Sequence, residues 1–419
     1  MELSGPSANL ALDQLVAERE AAGQSIVHLG FGESRLPILP ALAARLGSGA
    51  EQNAYGPVVG RLATREAIAG YFARRNLPTD PAQIITAPGS KLLLLALQIV
   101  VPGDVILPRP CWNSYPSHVR LAGKHALPIN IPRAYGGVPD PTGLRRALRM
   151  ARNRGIDPSI LILTLPDNPT GTVAPPAVVR ALCEIAAQEN LLVISDEIYR
   201  DVIHDPATAF LSPAEIVPDR TVITTGLSKS LALGGWRVGA ARFPDGIYGV
   251  QLRNAVSAYA SETWSALSAP MQEVAAYAYS EPEEIRAHLT ASTQLHGAVA
   301  RAIYGLALSA GATCRPPTAG FYVYPDFELI RDRLRLNSIT DSASLQRYLL
   351  EELAIAVLAG HHLGDDPRAL RFKASSSMLY GASREQQWAA LHAADPVRLP
   401  HIADMLSRVE EALMKLGAL

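Results

Sequence analysis

The sequence predicts an α/β fold: a mostly parallel β-sheet sandwiched by helices, accompanied by a smaller α+β domain. In the middle of the chain, short continuous apolar runs alternate with helical patterns, as expected of strands buried on both faces. Beyond about residue 290 the pattern changes to long helices mixed with an alternating strand. The length, 419 residues, exceeds what one hydrophobic core usually supports. The expected division is residues 1–45 as an N-terminal arm with part of the small domain, 46–290 as the large domain and 291–419 as the small C-terminal domain. No Gly/Ser-rich linker separates them.

The elements follow in order. The opening MELSGPSANLALDQLVAERE has acidic side chains within its apolar pattern and no basic start, so it reads as an amphipathic helix rather than a signal peptide. SIVHLGFGES reads as a short strand entering a glycine turn, REAIAGYFARR as a helix, and ITAPGSKLLLLALQIV as a turn feeding a helix. DVILPRP, SILILTL, NLLVIS, TVITTGLS and RVGAARF read as strands, with the helix PAVVRALCEIAAQEN between the second and third of these. In the last third, the helical stretch QLHGAVARAIYGLAL leads to TAGFYVYPDF, a strand of alternating pattern, followed by the segments SLQRYLLEELAIAVL and ALRFKASSS and a C-terminal helix DMLSRVEEALMKLG.

Composition narrows the function classes. With 48% hydrophobic and 18% charged residues the chain is a folded globular protein, and 38 basic against 39 acidic residues create no global field for nucleic acid or an anionic membrane. Apolar runs are too short to span a bilayer. Cys111, Cys183 and Cys314 are odd in number and dispersed, which fits a reducing cytoplasm better than a disulfide framework. Only five lysines occur, at 91, 124, 229, 373 and 415, so lysine chemistry has few candidates.

The chemistry gathers after three successive strands. SILILTL is followed by PDNPTGT with Asn168, NLLVIS by Asp196 and Tyr199, and TVITTGLS delivers Ser228 and Lys229. Ligands of such sheets bind beyond the carboxyl ends of the strands, so these groups are expected to meet in one crevice. A carboxylate and a lysine at buried strand ends are costly unless partnered, and a desolvated lysine forms imines readily. Pyridoxal 5′-phosphate satisfies both, with an aldehyde for the lysine and a ring nitrogen for the acid. Gly89, Ser90 and Lys91 open a helix whose free N–H groups suit its phosphate, and Arg237, eight residues after Lys229, can add a bidentate charge.

These residues carry a resemblance. GFGES, AYGPVVG, PGSK, PCWNSYP, PDNPTGT, SDEIYRDV, GLSKSLALGGWRVG, GFYVYPDF and LRFKASSS occur in the order found in class I/II aminotransferases of the pyridoxal-phosphate fold type I superfamily, over nearly the whole chain. The resemblance implies a homodimeric, cytoplasmic enzyme acting on an amino acid and a 2-oxo acid. In it Lys229 would hold the cofactor aldehyde and shuttle the proton, Asp196 would keep the ring nitrogen protonated, and Asn168 and Tyr199 would bond the ring hydroxyl. Trp112 would stack on the ring. Gly89, Ser90, Lys91 (through its backbone), Ser228 and Arg237 would hold the phosphate, with Tyr55 reaching across from the other subunit. Arg371 would clamp the substrate carboxylate, assisted by Asn168, with Gly32 beside it.

Plainer readings exist for several of these residues. Asp196 is also a good helix N-cap, Arg237 a possible structural ion-pair partner, Trp112 a core aromatic, and Arg368 competes with Arg371. His361 and His362 in AGHHLG are expected on an extended segment, pointing to opposite sides, which argues against a metal site. GFGES lacks the glycines of a dinucleotide fingerprint, and no P-loop motif occurs. Departures from the family pattern are Gly226 where serine is common, GES with Arg35 in place of GEP, and AGHHLG in place of PGxxFG. The last two fall where the family reads the substrate side chain, so Arg35, His361 and His362 are candidates for binding an acidic group or for diverting the reaction. A lyase, cyclase or β/γ-replacement enzyme of specialised metabolism using the same α-deprotonation is the alternative activity. A regulatory protein built on the same fold is disfavoured by the absence of a basic DNA-binding segment.

Overall fold

A computed structural model describes residues 6–419. Its strands, in chain order, are β1 (Val27–His28), β2 (Ile84–Pro88), β3 (Asp104–Arg109), β4 (Ala126–Asn130), β5 (Pro158–Thr164), β6 (Leu192–Asp196), β7 (Thr221–Gly226), β8 (Val238–Arg242), β9 (Tyr322–Val323), β10 (Ile355–Ala356), β11 (Leu358–Ala359) and β12 (Phe372–Ser375). Seven form the central sheet, in the order β2-β8-β7-β6-β5-β3-β4. Every neighbouring pair is parallel except β7 with β8 and β8 with β2, so β8 alone runs against the rest.

Sequence explains this sheet directly. β5, β6 and β7 are buried along almost their whole length, as continuous runs such as ILILT and LVIS require. One face packs under the helices Ser90–Val100 and Gly246–Thr263 in a core of Leu93, Leu97, Ile162, Ile194, Phe243 and Val256. The other face buries Leu161, Leu163 and Val193 against Leu148, Val179 and Leu182. ITAP, read as part of a turn, is strand β2: its main chain is paired along all five residues with β8, and Ile84 and Ile85 are fully buried.

The smaller unit has its own core, which joins Val27, Leu29 and Leu36 to side chains from Leu295 to Leu416. β1 pairs in parallel with β10, so the N-terminal segment belongs physically to the C-terminal one. Leu42 instead packs with Ile68 and Val274 against the large sheet, which puts the helix Pro40–Gly49 with the large core rather than with the arm. The long helix Glu283–Ser309 contributes Ile285 to the large core and Leu295 onward to the small one.

TAGFYVYPDF, expected to alternate as a strand, forms a ladder only at Tyr322–Val323, and both residues are buried. The segment lies between two interiors, so alternation there distinguishes the site from the core, not solvent from protein. The N-terminal helix is Ala8–Ala21, burying Leu12 and Val16 one turn apart; Met1–Gly5 of the expected helix lie outside the described residues. No helix among the described residues is long and apolar enough to cross a membrane.

The buried aromatic on the large core tests this packing. Phe243 is fully buried between the sheet and the helices above it. Phe243→Ala is expected to lower stability by about 3–5 kcal/mol, measured as a lower urea midpoint.

Candidate active site

The site is built at the carboxyl edge of the parallel strands. Thr164 at the end of β5 is paired with Asp196 at the end of β6, which is paired in turn with Thr224 of β7. The chain leaves β3 to form β4 on one side and later returns as β5 on the other, so the β3/β5 edge is the topological switch point at which such sheets bind ligands. Residues following these strands surround one cavity of about 480 Å³. Of the residues expected to gather, Gly32, Ser90, Lys91, Trp112, Asn168, Asp196, Tyr199, Ser228, Lys229 and Arg237 all line it.

Asp196 is fully enclosed. Its carboxylate accepts from Tyr115 Oη at 2.8 Å and Thr224 Oγ1 at 3.2 Å, while Tyr115 Oη also meets Thr164 Oγ1 at 2.8 Å. Burial raises its pKa to about 6, against these hydrogen bonds, which lower it. A cation beside it would favour the ionised form further.

Lys229 projects from the short helix Leu227–Ser230 at the end of β7 and donates to the carbonyl of Gly32. Burial lowers its pKa to about 8, with Glu33 opposing and Arg237 and Lys91 reinforcing. A fraction of this amine is therefore neutral, and nucleophilic, near neutral pH.

An anion cradle closes one end. Gly89 caps the helix Ser90–Val100 with φ +89°, and a Cβ there would overlap the Arg237 guanidinium, so only glycine allows that cation so near the free N–H groups of the helix. A Cβ on Gly239 would likewise overlap the Gly89–Ser90 backbone. Arg237 is itself left-handed at φ 58°, donates Nη1 to the Gly234 carbonyl at 2.8 Å and makes no ion pair among the described residues. Ser228 completes the rim.

The fit to pyridoxal 5′-phosphate can be judged from the chain alone. The cavity offers a buried amine, a buried acid, a cradle for a phosphate, and in Asn168 a buried amide oxygen with no hydrogen-bond partner. Tyr199 Oη bonds Tyr322 Oη at 2.7 Å on the same wall, and Trp112 stands edge-on to Tyr115 with 5.2 Å between ring centres. The donor set matches the group's aldehyde, ring nitrogen, ring hydroxyl and phosphate.

Arg371 departs from expectation. Its Nε bonds Asp326 at 2.8 Å and its Nη1 bonds Asp365 at 3.1 and 3.2 Å; it lines a different cavity and is absent from this one. Two carboxylates hold its guanidinium away from the site. The cation of this segment that does face the cavity is Lys373, on β12 two residues further along, 3% exposed with Nζ 4.9 Å from the Tyr322 ring centre. Burial, reinforced by Lys229, lowers its pKa to about 7. The signal was in the sequence: Lys373 is one of only five lysines. Its significance depended on Asp326 and Asp365 drawing Arg371 aside, which only the fold arranges. Tyr115 and Tyr322 were likewise unmarked, since a buried tyrosine reads as core.

Other expected residues lie elsewhere. Tyr55 is 95% exposed and contributes nothing to its own chain's cavity. Arg35 faces Glu33 at 3.8 Å and does not line it. His361 and His362 lie on a tight turn, Gly360–Leu363, with ring centres 3.9 Å apart rather than on opposite sides of an extended segment. The turn's curvature brings neighbouring side chains together, and His361 Nδ1 is 2.8 Å from Ser342 Oγ, outside the cavity. No cluster suited to a metal ion exists among the described residues. Arg368 is exposed and paired with Asp366.

The chain is similar to proteins of known kind over nearly all its length. The sequence pattern of the family described as aminotransferase class I and II matches residues 24–379. An aspartate/prephenate aminotransferase of Cereibacter sphaeroides is 32% identical over 86% of this chain and 90% of its own. A probable aspartate/prephenate aminotransferase of Thermus aquaticus is 36% identical over 58% of this chain, a match that spans 63% of the relative. Among solved structures, the aspartate aminotransferase of Thermus thermophilus with maleate superposes with a TM-score of 0.81 at 25% identity, covering 97% of each chain.

Amine reactivity reports the electrostatics directly. With pKa values of about 8 and 7, Lys229 and Lys373 are partly neutral near pH 7.5, whereas an ordinary lysine, near 10.4, is almost wholly charged. Brief reductive methylation of the cofactor-free protein at that pH, followed by peptide mass mapping, is expected to modify these two ahead of Lys415, and denaturation beforehand should remove the preference.

Proposed function

Because the chain belongs to the aminotransferase class I and II family, we propose that it moves an amino group between an α-amino acid and a 2-oxo acid, using pyridoxal 5′-phosphate in the Lys229 cavity. The observation that carries this reading is the pairing in one enclosed space of a lysine whose pKa is lowered by burial with a buried carboxylate, beside an anion cradle. When bound, the cofactor supplies an aldehyde that condenses with amines and a ring that accepts electrons from the attached carbon.

The chain's own residues then have defined tasks. Lys229 Nζ would take the proton from the substrate α-carbon and deliver it to the cofactor C4′ in one half-reaction and carry it the opposite way in the other, which its lowered pKa suits. Asp196, fixed by Tyr115 and Thr224, holds a proton on the ring nitrogen by charge. Tyr199 and Asn168 would orient the ring through its hydroxyl, Trp112 would pack on its face, and Ser90, Ser228, Arg237 and the Gly89–Lys91 backbone would grip the phosphate.

Lys373 is proposed as the group that binds the substrate α-carboxylate, in place of Arg371. Its single ammonium gives charge without the planar bidentate grip of arginine, so Asn168 and the Gly32 main chain carry more of the orientation. The relatives named above are aspartate or aspartate/prephenate aminotransferases. Lys91 suits the second carboxylate of such an acid: it lines the cavity with Nζ 5.2 Å from the Trp112 ring centre and has no ion-pair partner among the described residues.

Exposed Tyr55 fits a homodimer in which each subunit lends this phenol to its partner's phosphate. The three buried free thiols fit a reducing, cytoplasmic setting.

Two experiments test the reading. Lys229→Ala is expected to abolish turnover and the cofactor's imine absorbance; normal turnover would overturn the proposal. Lys373→Met should raise KM for the amino acid by about 100-fold, the scale expected when a buried charge partner is removed, while Arg371→Lys shifts it by less than about threefold. In both, conversion of the cofactor to its amine form with release of a 2-oxo acid is the readout, and loss of a side-chain group instead would indicate elimination or replacement chemistry.

A further inference from the structure

A second cavity lies beside the first. Tyr324 and Arg371, each two residues from a side chain of the Lys229 site (Tyr322 and Lys373), line it together with Arg133, Thr170 and Arg315, enclosing about 160 Å³. Because alternate residues of an extended segment share a face, the two cavities are neighbours along the same strands.

Its charges are unevenly satisfied. Arg371 is held by Asp326, which also lines the cavity, and by Asp365. Arg133 and Arg315 have no ion-pair partner among the described residues. Arg133 Nη2 donates to the Cys314 carbonyl at 3.1 Å and Arg315 Nη2 to the Pro132 carbonyl, so these two cations connect the segment after β4 with the segment before β9 through main-chain oxygens. Asp167, the carboxyl nearest in charge to Arg315, is turned to the Thr170 N–H at 3.1 Å and its hydroxyl at 2.5 Å, and burial pushes its pKa up to about 7. Arg315 Nη1 is buried and lacks any acceptor. A buried cationic donor without an acceptor is unfavourable, and a small anion between the two guanidinia would supply one.

We infer that the Arg133–Arg315 cavity is a binding site for a small oxyanion of the phosphate or carboxylate class, distinct from the site around Lys229. An occupant would bridge the large sheet and the smaller unit, since Arg133 follows β4 and Arg315 precedes β9. The cavity's volume of about 160 Å³ is enough for inorganic phosphate or a short carboxylate.

Calorimetric titration of the full chain, saturated with pyridoxal 5′-phosphate so that the Lys229 cradle is filled, tests this at low ionic strength with inorganic phosphate and, separately, succinate. The expected result is one phosphate per chain, bound at least about tenfold more weakly by Arg315→Gln and by Arg133→Gln but equally well by Lys373→Met, with succinate showing the same arginine-dependent event beside a Lys373-dependent one at the Lys229 site. Phosphate binding that succinate does not displace assigns the phosphate class, and mutual displacement assigns oxyanions generally. Succinate binding lost only in Lys373→Met belongs to the Lys229 site and counts against a second one. Absence of binding by either anion, or wild-type binding by both arginine variants, overturns the proposal. Arg133, exposed on its turn, keeps the test open should Arg315→Gln fail to fold.

Discussion

Two lysines buried in one cavity are the constraint around which this structure is arranged. Bringing Lys229 and Lys373 out of water lowers both pKa values; Lys229 lowers that of Lys373 further, and Arg237 and Lys91 lower that of Lys229. Such an arrangement persists only if the amines are partly neutral, if acids lie near, or if anions enter. All three conditions are met: the amines titrate near neutrality, Asp196 and Glu33 adjoin the cavity, and its rim is built to receive anions.

The sheet makes that arrangement possible. Three parallel strands ending at the same level give Asn168, Asp196 and Lys229 a common edge, and the hydrophobic residues that fix their register are those that bury the strands on both faces. The antiparallel strand β8 has a separate purpose. It lies between β7 and β2, which brings Gly239 against the Gly89–Ser90 backbone and Arg237, just before it, against the helix N-terminus. The cradle thus depends on two glycines whose missing side chains allow a main chain and a guanidinium to approach.

The smaller unit supplies the other wall. Its core takes in the N-terminal segment through the β1–β10 pairing, so Gly32 and Lys373, more than three hundred residues apart in the chain, face the same amine. Arg371, by contrast, is held by two aspartates on the same unit, which leaves it a structural ion pair at 2.8 Å and a lining of the neighbouring cavity. A family pattern read as a string points to that arginine; Lys373, two residues later and on the same face of the extended segment, lines the Lys229 cavity, while Asp326 and Asp365 draw Arg371 to the neighbouring one.

The sequence by itself determined the sheet strands, the order of the helices between them and the collection of polar groups at the strand ends. Those are local properties: apolar runs, glycine at a helix start, and polar residues immediately after strands. The role of the segment Thr86–Pro88 as a strand, the close turn that brings His361 onto His362, and the placing of Lys373 rather than Arg371 in the wall of the Lys229 cavity were decided only in three dimensions. Each depends on which partner a backbone finds or which face a side chain presents, and neither is encoded within a window of neighbouring residues. A charged side chain between two interiors goes wherever a countercharge can reach it, and for Arg371 those countercharges come from Asp326, brought close by the fold, and Asp365.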